Sequence, residues 1–211
     1  MKIKNNAITS ELQNSLEPQN VLKDLMDGNS RFVNDKQQQI DNKALIDQTV
    51  GGQFPQAVIL SCIDSRVPVE TIFDQAIGDI FVARVAGNFE NVDILGSLEY
   101  SCKVAGSKLI FVLGHESCGA VKAACDSIEL GNITSMLNNI MPAVSKSTNE
   151  VAGETNSSNK DFVAKVVENN VKLTIERIKE RSAILKEMLN NEEIDIVGGV
   201  YSLQTGKVNL I

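Results

Sequence analysis

Residues 108–119 read KLIFVLGHESCG, an apolar run that ends in a histidine, with a cysteine three positions beyond it. Residues 57–62 follow the same plan, because the run AVILS leads directly into Cys62. Short, continuous apolar runs with β-branched residues are typical of strands that are covered on both faces. His115 is the only histidine of the chain. The chain's one imidazole is therefore predicted to lie at the end of a buried strand.

The remaining chain alternates between strand and helix patterns. Two more segments predict strands, residues 81–85 and 194–201. Three segments carry apolar residues at helical spacing: 91–105, with Asn91 as its cap and Gly106 as its stop; 119–129; and 161–190, broken near Ser182. This alternation predicts an α/β fold with a central, mostly parallel β-sheet flanked by helices.

The N-terminal part is predicted to be a helical arm. Residues 1–17 are polar and form the arm itself, and residues 18–211 are predicted to form a single domain. Pro18 suits the first turn of a helix, whose apolar pattern is interrupted at Gly28. At 43% hydrophobic residues, the chain is long and apolar enough to bury a full core.

Composition excludes several classes of function. A net charge of −7 argues against nucleic-acid binding, which needs a concentrated basic surface. We expect no membrane span, because the sequence lacks an apolar run of about 18 residues. The N-terminus shows no signal-peptide pattern, and four cysteines in a chain of 211 residues do not make a disulfide scaffold. We therefore expect reduced thiols and a cytoplasmic location.

Cys62, His115 and Cys118 are predicted to form a metal site. Ligand sites of parallel sheets collect at the carboxyl ends of the strands, where Cys62 and His115 are expected. Two cysteines and one histidine with a free fourth position form a known catalytic zinc arrangement, and Zn²⁺ with two thiolates and a neutral imidazole sums to zero charge. Each cysteine alone would more often be a small buried hydrophobe, as we expect for Cys102 and Cys125.

Asp64 and Arg66 follow Cys62 closely and are predicted to line the same pocket. An isolated Asp–Arg pair is usually only an ion pair. Beside a metal with an open position, however, Asp64 can accept a hydrogen bond from bound hydroxide or ligate the metal itself. Arg66 would hold the carboxylate in place and keep it ionised.

These motifs together resemble the β-class carbonic anhydrases. The pair CIDSR at 62–66 and HESCG at 115–119 carries the resemblance. It extends to segments 84–88, 96–100 and 199–208, and covers most of residues 20–210. Two ligand motifs that lie far apart in the sequence make the match specific.

The resemblance implies a zinc enzyme that reversibly hydrates CO₂ to bicarbonate and a proton, by attack of zinc-bound hydroxide on CO₂. It implies one Zn²⁺ per subunit, with Cys62, His115 and Cys118 as ligands. It also implies that Asp64 and Arg66 form the catalytic dyad.

The resemblance further implies a substrate pocket formed by Gln53, Phe81, Tyr100 and Gly119. In the family the first three of these positions reach the site from the neighbouring subunit. The working unit is therefore expected to be a homodimer or homotetramer, with residues 1–34 packed on a partner subunit.

Two positions depart from the family pattern. Ile63 stands where the family usually has a small polar residue, and we expect little effect there. Ile59 stands where the members gated by bicarbonate have a tryptophan, and the chain contains no tryptophan. Bicarbonate gating is therefore not expected here.

Three other functions compete with CO₂ hydration. A CS₂ or COS hydrolase would use the same zinc site and differ in access to the pocket. A non-catalytic zinc or redox-sensing protein would leave Asp64, Arg66 and Gln53 without a role. A cysteine protease with Cys118 as nucleophile and His115 as base would leave Cys62 unexplained.

Overall fold

The computed structural model describes residues 3–211. Its strands are β1 (Ile3–Lys4), β2 (Gln39–Ile40), β3 (Ala57–Ser61), β4 (Ile80–Arg84), β5 (Leu109–His115), β6 (Asp195–Tyr201) and β7 (Val208–Leu210). Its α-helices are α1 (Ser10–Asn14), α2 (Pro18–Val33), α3 (Asn42–Thr49), α4 (Val69–Ile72), α5 (Val92–Glu99), α6 (Gly119–Cys125), α7 (Gly131–Leu137), α8 (Met141–Ser147), α9 (Lys160–Arg181) and α10 (Ala183–Asn190). A π-helical turn, Tyr100–Val104, continues α5.

The central sheet has the order β4-β3-β5-β6-β7. Its first four strands run parallel, and β7 is antiparallel to β6. The predicted α/β fold with a mostly parallel sheet is thus confirmed. β1 and β2 form a separate two-stranded parallel pair.

Both faces of the central strands are covered, which explains their continuous apolar sequence. All residues of β3 and β5 are buried. On one face, Ile59 and Phe111 pack against Leu25 of α2. On the other, Val58 and Val112 pack in a cluster that includes residues of α5, α9 and α10. Burial of a single Ile or Phe of this kind contributes about 1.5–3 kcal/mol.

The helix boundaries agree with the sequence at two caps, and one helix is shorter than predicted. The Asn91 side chain accepts a hydrogen bond from Ile94 N and so begins α5. Ser182 separates α9 from α10 as predicted, and its hydroxyl accepts a hydrogen bond from Leu185 N. α6 is shorter than predicted because Ser127 has a φ of 51°, which ends the helix.

The interruption of the apolar pattern at Gly28 does not end the helix, since α2 continues through it to Val33. A Cβ built on Gly28 would lie 1.8 Å from the Phe73 carbonyl oxygen. The glycine is therefore required by a close approach between α2 and the segment after α4, and not by a break in the helix.

Residues 3–17 of the predicted arm are attached to the body of the same chain. The Gln13 side-chain amide donates to the carbonyl oxygens of Pro55 and Ala105, both at 2.8 Å. Lys4 forms an ion pair with the buried Asp79 at 2.5 Å. Met1 and Lys2, the start of the predicted arm, lie outside the described residues, and packing of this region on a partner subunit stays a prediction. Within residues 3–211, no helix combines the length and the apolar character that a membrane crossing needs.

Candidate metal centre

Two adjacent strands and one helix bring Cys62, His115 and Cys118 together. Ser61 of β3 pairs in register with Leu113 of β5, so Cys62 lies beside the end of β5, where His115 is the last residue. Cys118 directly precedes α6. The three side chains, called the metal cluster below, therefore meet at the carboxyl end of the sheet, as predicted.

The geometry of the metal cluster suits a zinc ion. The donor atoms of the three residues all lie within 4.8 Å of one another, and each residue is buried. The two sulfur atoms are 3.9 Å apart. With Zn–S bonds near 2.3 Å, two sulfurs of a tetrahedral site lie about 3.8 Å apart.

His115 supplies a further test of the fit. Its Nδ1 lies 2.9 Å from the Glu116 carbonyl oxygen, which fixes the proton on Nδ1 and leaves a lone pair on Nε2. Among the described residues Nε2 has no hydrogen-bond partner, although it is buried. Such an orphaned acceptor is costly in a protein interior, and a metal ion would satisfy it.

The sulfur atoms are surrounded by backbone N–H groups. Gly87 N donates to Cys62 Sγ at 3.3 Å. The hydrogen bond with Cys118 lowers the pKa of Cys62 to about 4, while the hydrogen bond with Cys62 raises the pKa of Cys118. The amides of Val121 and Ala120 partly oppose the rise at Cys118. Metal binding requires both sulfurs as thiolates, so a bound cation would displace the protons that the thiols carry.

Asp64 and Arg66 form a paired carboxylate and guanidinium beside the metal cluster. Arg66 Nε donates to Asp64 Oδ1 at 2.9 Å and Nη2 to Oδ2 at 2.8 Å. These hydrogen bonds hold the pKa of Asp64 well below its usual range, so the carboxylate is ionised. Asp64 Oδ2 lies 3.9 Å from His115 Nε2. The predicted pair is therefore brought to the metal cluster, with Asp64 held by Arg66.

Two residues that support the site have no role in the predictions from sequence, although Arg84 lies in the segment 84–88 that shares the resemblance. Arg84, at the end of β4, donates to the carbonyl oxygens of Cys62 and Asp64. Asn170 of α9 donates to the Gly87 carbonyl oxygen at 2.8 Å. A buried asparagine within the apolar pattern of 161–190 was a possible signal for the second, whereas nothing near Arg84 in the sequence marked its partners.

The predicted substrate-pocket residues are not all near the metal cluster of their own chain. Gly119 is, because it begins α6 directly after Cys118. Phe81 and Tyr100 pack edge to face, with ring centroids 6.3 Å apart. They line an open cavity of about 510 Å³ between β4 and α5, called the aromatic groove below.

The sheet register separates the aromatic groove from the metal cluster. Phe81 pairs with Val58, four positions before Cys62. Gln53 is exposed and precedes β3, so it lies toward the opposite end of that strand. A role for these residues in the site of a neighbouring subunit stays a prediction.

The other two cysteines belong to the core, as expected. Cys102 packs with Leu98 and Ile110, and burial raises its pKa to about 12. Cys125 packs with Val121 and Phe162, and burial raises its pKa to about 11. All four cysteines are free thiols.

Comparison with known proteins gives consistent matches. Residues 57–208 match the sequence profile of a family described as carbonic anhydrase. Carbonic anhydrase 2 of Mycobacterium tuberculosis is 37% identical over 195 residues, which cover 89% of this chain and 90% of that protein. The carbonic anhydrase of Mycolicibacterium smegmatis is 37% identical over 193 residues, with the same two coverages of 89% and 90%.

Solved structures agree with the fold. A Coccomyxa β-carbonic anhydrase in complex with acetazolamide has a TM-score of 0.71 at 26% identity, covering 81% of this chain and 78% of that one. A structure from a study of two tetrameric β-carbonic anhydrases of Sordaria macrospora has a TM-score of 0.72 at 22% identity, covering 81% and 87% of the two chains. The latter likeness concerns the fold alone.

Proposed function

The chain belongs to the β-carbonic anhydrase family, and we propose that it reversibly hydrates CO₂ to bicarbonate and a proton with one Zn²⁺ per subunit. One observation carries the proposal. The buried metal cluster contains an unsatisfied His115 Nε2, and an ionised Asp64 lies 3.9 Å from it.

Cys62, His115 and Cys118 would hold the metal. Two thiolates and an imidazole favour zinc among the common divalent ions, and they neutralise its charge. When bound, zinc lowers the pKa of water from about 15.7 toward 7 and so supplies hydroxide at neutral pH. The Gly87 N–H donates a hydrogen bond to Cys62 Sγ and so reduces the negative charge that this sulfur can share with the metal.

Asp64 would act as a fixed hydrogen-bond acceptor. Because Arg66 keeps it ionised, it can accept a hydrogen bond from the attacking hydroxide and turn an oxygen lone pair toward CO₂. A carboxylate without this partner would no longer be held in one orientation. The pair therefore serves orientation more than proton removal.

The substrate pocket would be completed by a second subunit. Gln53 would donate a hydrogen bond to the developing bicarbonate, while Phe81 and Tyr100 would form an apolar wall. Tyr100 is 54% exposed in the single chain, and the aromatic groove is open, as expected for a surface that a partner covers. The Sordaria proteins are tetrameric, and we propose a dimer or tetramer here. Reduced thiol ligands favour a cytoplasmic location.

Proton export would depend on buffer. His115 is the chain's only imidazole and would be occupied by the metal, so none remains as a proton shuttle. Turnover at saturating CO₂ is expected to rise with buffer concentration, while kcat/KM stays constant. Equal turnover in dilute and concentrated buffer would contradict this part of the proposal.

Removal and return of zinc tests the proposal. A chelator should abolish CO₂ hydration in a stopped-flow assay, and one equivalent of Zn²⁺ should restore it. The same samples should be assayed with CS₂ and COS. Hydrolysis of those substrates without CO₂ hydration would favour the related hydrolase, and full zinc with neither activity would favour a non-catalytic zinc protein.

A further inference from the structure

Arg84 joins the end of one strand to the turn that carries Asp64. It is the last residue of the edge strand β4. Its Nε donates to the Cys62 carbonyl oxygen at 2.8 Å, and its Nη2 donates to the Asp64 carbonyl oxygen at 2.7 Å. One rigid guanidinium therefore bridges the backbone carbonyls of Cys62, a candidate metal ligand, and Asp64, which carries the candidate catalytic carboxylate.

The other hydrogen bonds of Asp64 are local to its own turn. Arg66, two positions further on, holds the Asp64 side chain. Val67 N donates to the Asp64 carbonyl oxygen at 3.0 Å. Both contacts fix Asp64 relative to residues 64–67, but neither fixes that turn relative to the sheet. Arg84 links the turn to the sheet by hydrogen bonds, since β4 pairs with β3 up to Ser61 and Arg84. Val67 adds apolar packing in the core cluster that contains Ile59 and Phe111.

The chemistry of Arg84 fits this task. Among the described residues it forms no ion pair with a carboxylate, and its two observed hydrogen bonds go to the two carbonyl oxygens. The planar fork of arginine presents donors at a fixed spacing, whereas the ammonium of lysine is a single flexible point.

We propose that Arg84 is a positioning residue that sets the Asp64 carboxylate relative to Cys62 by bridging their backbone carbonyls. The predicted effect on rate rests on the proposed function, and the structural effect does not. Displacement of a catalytic group by about 1 Å can cost on the order of 100-fold in rate. Loss of Arg84 should therefore lower kcat/KM by about 10–100-fold while zinc content stays at one per subunit.

Backbone hydrogen exchange of the zinc-loaded protein tests the structural effect. In Arg84→Gln, the amides of Arg66 and Val67 should exchange faster, because both donate to Asp64. Amides in the middle of β5 should be unchanged. Lys103→Gln, which removes an exposed cation beyond α5, is the matched control and should change neither set. Unchanged exchange at Arg66 and Val67 in Arg84→Gln would overturn the proposal, whether or not the protein hydrates CO₂.

A double-mutant cycle tests the effect on rate. If Arg84 acts through Asp64, Arg84→Gln should cost less than about twofold in an Asp64→Asn background, because coupled residues are not additive. Arg84→Lys should recover only a minor part of the loss in the wild-type background. The positioning role is overturned if the two single losses in kcat/KM multiply fully in the double variant, or if Arg84→Gln keeps the wild-type kcat/KM. Failure of the proposed function would instead appear as a wild-type protein with full zinc and no activity.

Discussion

The metal cluster and the aromatic groove differ in how complete they are within one chain. Cys62, His115 and Cys118 are at most 4% exposed, and their donor atoms converge from two strands and a helix. Tyr100, by contrast, is 54% exposed on an open groove that lies away from the metal cluster. Under the proposed function, one subunit would suffice to bind the metal, whereas the substrate pocket would need a second.

Removal of a candidate ligand should have the largest effect. Changes to groups around a metal ligand cost about 10–100-fold in affinity, so loss of a thiolate itself should exceed about 100-fold. We expect Cys118→Ser to lose zinc and CO₂ hydration together, as measured by competition with a chromogenic chelator. Cys125→Ser, at the other end of α6, should keep both. Unchanged zinc affinity in Cys118→Ser would contradict the assignment of the metal cluster.

Asn170 and its neighbour Asn169 offer a sharper test of the surroundings of the metal cluster. Asn170 donates to Gly87, whose N–H reaches Cys62 Sγ, whereas Asn169 donates to Ser147 and Glu150. Both substitutions to leucine should cost about 1–3 kcal/mol of stability, because Asn170→Leu leaves the Gly87 carbonyl and Asn169→Leu the buried Ser147 hydroxyl without a hydrogen-bond donor.

Only Asn170→Leu should also weaken zinc binding, by about 10-fold or more. Thermal unfolding and zinc competition measured on the same two variants separate the effects. An equal loss of zinc affinity in both would show that the contact with Gly87 has no particular role.

Mixing two defective variants would show whether the aromatic groove serves a neighbouring subunit. Asp64→Asn and Phe81→Ala should each have low activity, with zinc retained. If Phe81 acts across a two-fold interface, subunit exchange creates hetero-dimers with one intact site, and up to about a quarter of all sites recover. Activity in the mixture that never exceeds the average of the two separate proteins would place Phe81 in its own subunit's site or in no site.

The dependence of kcat/KM on pH should be the smallest effect. Hydrogen bonds from Arg66 hold the pKa of Asp64 below its usual range, so the ionised form is favoured in the fold and persists from about pH 5 upward. Asp64 should add no ionisation between about pH 5 and 9, and kcat/KM should rise with one ionisation, that of the activated water. A flat profile from about pH 6.5 to 9, with zinc fully bound, would contradict the mechanism.

The sequence was most informative where local pattern and burial agree. The runs at 57–61 and 108–113 predicted strands because residues 57–61 and 109–113 are all buried, and the carboxyl-end rule for parallel sheets then placed Cys62 beside His115. Asn91 and Ser182 marked helix ends because their side chains cap backbone N–H groups.

The features that the sequence did not predict depend on contacts between distant segments. The reason for Gly28 cannot be read from the sequence, because the Phe73 carbonyl that it approaches lies 45 residues away in the chain. The role of Arg84 depends on the register between β3 and β4, which sequence alone does not specify. The two-residue strands β1 and β2 are too short to produce a periodic pattern.

The most direct test pairs zinc content with stopped-flow CO₂ hydration for the wild type and Asp64→Asn. Both proteins should bind one Zn²⁺ per subunit, because Asp64 lies outside the metal cluster. The wild type should hydrate CO₂, and Asp64→Asn should be slower by about 100-fold, the cost of a misoriented reacting group. A wild-type protein with stoichiometric zinc and no CO₂ hydration would contradict the account.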